Sequence, residues 1–212
     1  YVANADGTGV HVTVSNHGAE DSYPSLSADG SKVAWESYRN GNAEVWVAST
    51  DGAGLPVKVS DDSGANDYAP SLSADGSKVA WYRYCGEDFE VYVANADGTG
   101  GLVNVSNYPD ADDASPSLSA DGSKVAWTRG YRDGNYEVYV ANTDGTGLVN
   151  VSNHSGYDDE YPSLSADGST VAWQSTRDGD YEVYVAKTDA PEGLVNVSGN
   201  GAFDGYPSLQ GN

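Results

Sequence analysis

The chain of 212 residues holds one cysteine, no methionine and ten basic residues against 32 acidic ones. Each shortage excludes something. A single thiol, Cys85, can make no internal disulfide, so no disulfide framework holds the fold and cysteine usage says nothing of redox compartment. The scarcity of Lys and Arg leaves a net charge of −22. Nucleic acid and anionic membrane surfaces are thereby poor partners, because each would meet a strongly negative field; cations and basic or neutral partners stay open. No apolar run is long enough to cross a bilayer, so membrane insertion is not expected. Apolar residues at helical spacing are missing too, and no helices are expected. No H-E-x-x-H, G-x-S-x-G or phosphate-binding glycine loop occurs. His11, His17 and His154 do not recur with any period, and triplets such as Gly7-Thr8-Gly9 read as turns, so the chain is not expected to be an enzyme.

What is present is a repeat. Pro24, Pro70, Pro116, Pro162 and Pro207 stand 46, 46, 46 and 45 residues apart, and a fixed period near 45 marks a repeat architecture. Each unit carries short β-branched and aromatic runs such as S-K-V-A-W and E-V-Y-V-A. S-A-D-G, R-D-G or R-N-G, and D-G-T-G turns separate them, where Gly takes positive φ and Asp or Asn bonds its own backbone. Three tight turns per period predict four antiparallel strands, and four short strands repeated predict an all-β propeller.

The run P-S-L-S-A-D-G-S-K-V-A-W, followed by R-D-G-N-Y-E-V-Y-V-A-N-T-D-G-T-G-L, resembles the TolB-like propeller repeat, a relative of the WD repeat. The resemblance covers essentially the whole chain and recurs four times in full. It implies a propeller, and the roles it carries range over binding scaffolds, periplasmic adaptors, gating domains of peptidases and some lyases.

The expected organisation is a single domain of full repeats at residues 21–66, 67–112, 113–158 and 159–203. Residues 1–20 align with a third and fourth strand, and residues 204–212 with a first strand. Joined, they predict a fifth, closing blade shared by both termini and lacking its second strand, which would remove two open edges; the alternative is that the chain continues and is an arc of a larger ring or array. The start at Tyr1, without Met, in what aligns as a strand leads to the expectation of a processed or excerpted chain. Trp35, Trp81, Trp127 and Trp173 are expected to pack between blades. Glu44, Glu90, Glu137 and Glu182, with Arg39, Arg132 and Arg177 in the preceding turn, are expected to form turn or interblade ion pairs; Cys85 stands where the second unit would have its Arg.

The most regular polar feature is an Asp three positions before each proline: Asp21, Asp67, Asp113, Asp159 and Asp204. Two readings stay open. Carboxylates converging on a channel mouth need neutralisation, which Ca²⁺ would supply through oxygen ligands; alternatively each Asp caps its own turn. Beside them stand Tyr23, Tyr68, Tyr161 and Tyr206, a candidate ligand-binding set whose faces suit a sugar or a basic side chain. The N-x-S triplets at Asn104, Asn150, Asn196 and Asn153 are formal glycan acceptors, three of them recurring with the repeat. No cofactor is required by any of this.

Together these features predict a non-catalytic binding or structural scaffold that is extracellular, cell-surface or periplasmic and acts on a protein partner or on neighbouring copies. The alternatives are a carbohydrate-binding propeller and the propeller part of a larger lyase or hydrolase.

Overall fold

The computed structural model describes residues 1–4, 6, 8, 11–60, 64–199 and 201–209. Gly7, Gly9 and residues 210–212 of the expected last strand lie outside them. Four antiparallel sheets follow in chain order, each a meander of four strands. The first holds β1 (Asp21–Leu26), β2 (Lys32–Ser37), β3 (Glu44–Ser49) and β4 (Val57–Lys58). The second holds β5 (Asp67–Leu72), β6 (Lys78–Tyr84), β7 (Phe89–Asn95) and β8 (Val103–Asn104). The third holds β9 (Ala111–Leu118), β10 (Lys124–Tyr131), β11 (Tyr136–Asn142) and β12 (Val149–Asn150). The fourth holds β13 (Asp159–Leu164), β14 (Thr170–Ser175), β15 (Glu182–Lys187) and β16 (Val195–Asn196). A single 3-10 turn, Pro191–Gly193, precedes the last strand.

The core lies between successive sheets. Trp81 and Val79 of the second blade pack on Ala34, Val45, Val47 and Val59 of the first. Ala80 points the other way and meets Trp127 and Val125 of the third blade, and Ala126 meets Trp173 and Val171 of the fourth. Alternate residues of V-A-W therefore face opposite neighbours, and a small Ala receives the next blade's indole. Both faces are covered, so these strands read as continuous apolar runs and not as apolar–polar alternation. Trp81, Trp127 and Trp173 are fully buried.

The S-A-D-G turns position the inner ends. In the first, Asp29 Oδ1 accepts from Ser27 Oγ at 2.7 Å and from Ser31 N at 2.9 Å, and Gly30 takes φ 67°. Successive turns are linked by backbone bonds, Ala28 N to Ala74 O at 2.8 Å and Ala120 N to Ala166 O at 2.9 Å. The resulting row of turns lies at one end of a small cavity of about 170 Å³, lined by the Ser, Leu and Ala of each of the four blades (Ser71, Leu72 and Ala74 in the second) and by Leu209.

The ends are simpler than expected. Val2 and Val12 exchange two backbone bonds as an isolated bridge, where residues 1–15 were expected to supply two strands. Residues 204–209 form no ladder, yet Leu209 N donates to Ser163 Oγ at 2.9 Å as Leu72 N does to Ser25 Oγ. They thus lie on the fourth blade in the register that each inner strand takes on its predecessor.

Backbone and hydroxyl donors hold the turn carboxylates of Asp29 and Asp167 down at about 2, below their ordinary 3.8. A depressed folded-state value means that their stabilisation is present above about 3.8 and is lost as pH falls toward 2. The melting temperature of the parent should therefore fall more steeply across that window than that of Asp29→Asn with Asp167→Asn; parallel curves would remove the turn acids from the acid response.

Candidate binding site at the channel mouth

The recurrent Asp opens β1, β5 and β13 and is the third residue of β9, and in these four units its side chain turns into its own blade. Asp67, Asp113 and Asp159 are wholly buried. Asp113 Oδ1 accepts from Trp127 Nε1 at 2.7 Å and from Arg129 Nε at 2.8 Å, and Oδ2 from Arg129 Nη2 at 3.0 Å. Arg83 grips Asp67 by the same fork. In the fourth blade Arg177 binds Asp159 at 2.9 Å from the following turn, and in the first Arg39 stands 3.7 Å from a partly exposed Asp21. The guanidinium in turn lies over the third strand's aromatic ring, Arg129 at 4.4 Å from Tyr139 and Arg83 at 4.7 Å from Tyr92.

In four blades an arginine thus stands against the carboxylate for which calcium was one of the two open readings. Among the described residues no three His, Cys, Asp or Glu side chains are grouped as metal ligands. Asp204 keeps the backbone contact of its position, donating from N to Tyr181 O at 2.8 Å. Burial pushes Asp113 up to about 6 against the opposing pull of Arg129 and the indole. Burial also works against the Arg129 charge, yet Asp113 holds that group above its ordinary value.

Two expectations are corrected here. The recurrent Glu does not pair with arginine: Glu44, Glu90, Glu137 and Glu182 accept from Ser60, Ser106, Ser152 and Ser198, tying the third strand to the end of the fourth. The second unit does not lack its arginine either, since Arg83, two residues after Trp81, replaces the turn residue. Sequence spacing missed this because a side chain from the strand and one from the following turn reach the same carboxylate. The recurrent N-x-S asparagines are also engaged; Asn150 bonds Tyr139 and caps Asn153 N.

At the end of the channel opposite the S-A-D-G turns, the residue before each proline adopts a left-handed backbone: Tyr23 (φ 49°), Ala69 (46°), Ser115 (55°), Tyr161 (53°) and Tyr206 (54°). The register of each inner strand jumps there, as between Ser22 and Ser25 in β1. Non-glycine residues in this region cost of order 1–3 kcal/mol each and cluster at functional sites. The bulge sends these side chains outward: Tyr23, Tyr161 and Tyr206 are 64 %, 40 % and 67 % exposed. Tyr161 and Tyr206 stand 5.0 Å apart, ring centre to ring centre. They flank a shallow apolar depression of about 270 Å³ floored by Pro70, Pro116, Pro162 and Pro207. Tyr68 is not one of them. It sits one position earlier, half-buried against Tyr82 at 5.6 Å and Phe89 at 6.3 Å.

A family model described as the TolB beta propeller domain matches residues 54–210. The chain belongs to this family. Among solved structures it is similar to a TolB from Agrobacterium tumefaciens described as putative (TM-score 0.60, 19 % identity), covering 77 % of this chain and 60 % of that one. TolB from Acinetobacter baumannii follows at TM-score 0.58 and 24 % identity, with 80 % of this chain and 41 % of that one covered. A chain of a nidogen–laminin complex gives TM-score 0.61 at 16 % identity over 83 % and 64 % of the two chains. The chain therefore spans less than two thirds of each. No curated protein matches it.

Replacing Asp113 by Asn would leave the Arg129 guanidinium buried without its counter-charge, a loss of about 3–5 kcal/mol. Asp21→Asn, at a longer and more exposed pair, should cost clearly less. Denaturant unfolding of both variants decides it, and a loss below about 1 kcal/mol for Asp113→Asn would deny the pair its structural role.

Proposed function

We propose that this TolB-family propeller is a non-catalytic module that binds a protein partner through the tyrosine and proline mouth of its channel. The carrying observation is the repeated left-handed residue, whose backbone strain presents Tyr161 and Tyr206 beside an apolar floor and leaves Tyr23 exposed. Exposed aromatic faces on a chain of net charge −22 suit a partner segment that is neutral or basic, through stacking and cation–π attraction. The TolB relationship and the likeness to a chain of a nidogen–laminin complex support a binding role, and the former supports a periplasmic, extracellular or cell-surface location. Among the described residues no helix is long and apolar enough to cross a membrane. Propellers of similar fold also occur in a tricorn protease, of which this chain covers 18 %; membership of such a larger enzyme is a weaker reading, because the recurrent Asp67, Asp113 and Asp159 are held in internal pairs with arginine.

Residues 204–209 and the Val2–Val12 bridge are proposed to complete a fifth, three-stranded blade. Leu209 lining the same cavity as Ser25 and Leu26 supports this. With Cys85→Ser as background, spin labels at positions 2 and 208 should give one narrow short-distance population, and a broad or long distribution would open the ring.

For the mouth, binding of Lys- and Arg-containing peptides from a displayed library should weaken about tenfold or more in Tyr161→Ala with Tyr206→Ala, the range of a lost aromatic anchor, and should weaken with salt. Peptide binding unchanged by these variants would refute the mouth; glycan-array binding lost in them, with no peptide binding, would turn the reading to carbohydrate.

A further inference from the structure

The third unit has a small side chain at each of four positions that lie side by side, a combination that no other full unit has. Ser115 stands where Tyr23, Tyr161 and Tyr206 stand; Ala114 matches Tyr68 and Glu160; Thr128 matches Glu36, Tyr82 and Gln174; Gly130 matches Tyr38, Tyr84 and Thr176. In the second blade the equivalent space is filled by packed rings, Tyr68 against Tyr82 and Phe89 against Tyr84. In the third it is a cavity of about 330 Å³ between the third and fourth blades, within the size range of small-molecule sites, roughly 300–1,000 Å³.

The walls are not inert. Tyr136 lies so flat on Gly130 that a Cβ there would come within 2.7 Å of its Cε1. Tyr136 and Tyr161 are 38 % and 40 % exposed, leaving ring surface open to the cavity. Asp112, Arg132 and Glu160 complete the lining. Arg132 is available because Arg129 has taken the buried Asp113. Four of the chain's five arginines make an ion pair within their blade, whereas among the described residues Arg132 has no ion-pair partner; its field acts on Asp88. Burial holds Glu160 above its ordinary value, and Tyr181 donates to its Oε2 at 3.0 Å.

We propose that this cavity is a binding site for a neutral saccharide of one or two rings. Two carboxylates and one guanidinium place hydrogen-bond acceptors and donors side by side in one small cavity, which suits a ligand that carries both. A polyol uses both, donating to Asp112 and Glu160 and accepting from Arg132, while its C–H face stacks on Tyr136 or Tyr161. The site adjoins the mouth, with Ser115 and Tyr161 lining both, but the saccharide reading does not depend on a peptide binding there.

The test is saturation-transfer NMR and calorimetry of the whole chain with methyl β-D-glucopyranoside, methyl α-D-mannopyranoside, N-acetylglucosamine and cellobiose. Ser115→Tyr refills the cavity with the ring that three other units carry at the same left-handed φ, so it should fold as the parent does. It should abolish saturable binding, and Arg132→Gln should weaken it about tenfold, the effect of losing one charged hydrogen bond. Tyr23→Ala, at the mouth, should leave it unchanged. No saturable signal from any of the four sugars in the parent overturns the proposal. So does binding indifferent to both Ser115→Tyr and Arg132→Gln, or saturable binding of tetramethylammonium or acetate in place of the sugars.

Discussion

In the second, third and fourth blades a buried carboxylate, bonded to the Trp indole and paired with an arginine, is the interaction on which the rest depends. It clamps the first strand to the second at the point where the strand register breaks, so the bulge has one geometry. The indole it orients is the side chain that fills the gap between blades. A buried carboxylate is costly unless paired and hydrogen-bonded, and here Arg129 and Trp127 satisfy Asp113 from two directions. Where the clamp is looser, at Asp21 and Arg39, the Arg39 Nη2 and Trp46 Nε1 atoms are buried without a hydrogen-bond partner.

From this clamp the array propagates by size complementarity. Ala34, Ala80 and Ala126 leave room for Trp81, Trp127 and Trp173 of the following blade. Gly122 and Gly168 do the same for lysine stems, since a Cβ would come within 2.6 Å of Lys78 and 2.9 Å of Lys124. Each blade therefore contacts its neighbours through a repeated fit, and stability is shared along the array as in other repeat proteins.

Function enters where the repeat is free to vary. The clamp and the Ala–Trp fit tolerate little change, but the residue before each proline is Tyr, Ala, Ser, Tyr and Tyr in turn, because its side chain leaves the core at the bulge. The mouth can thus change chemistry without loss of fold, and the small residues of the third unit open a cavity that the rings of the second unit fill.

The architecture was legible in the sequence alone: the period of the prolines and the V-A-W runs determine four-stranded units, since turn glycines and β-branched runs act locally. Burial of the tryptophans followed for the same reason. The roles of the polar residues did not. Asp113 and Asp159 carry the same spacing whether they face a channel or a Trp, and only the bulge decides which. Arg83 and Arg177 lie at different offsets from their Trp yet reach equivalent carboxylates, because strand and turn converge in space. Tyr68 and Tyr161 look alike beside their Asp, but one register step sends the first into an aromatic cluster and the second to the mouth. Side-chain direction at a bulge is a tertiary outcome, set by which neighbour holds the backbone in its left-handed turn.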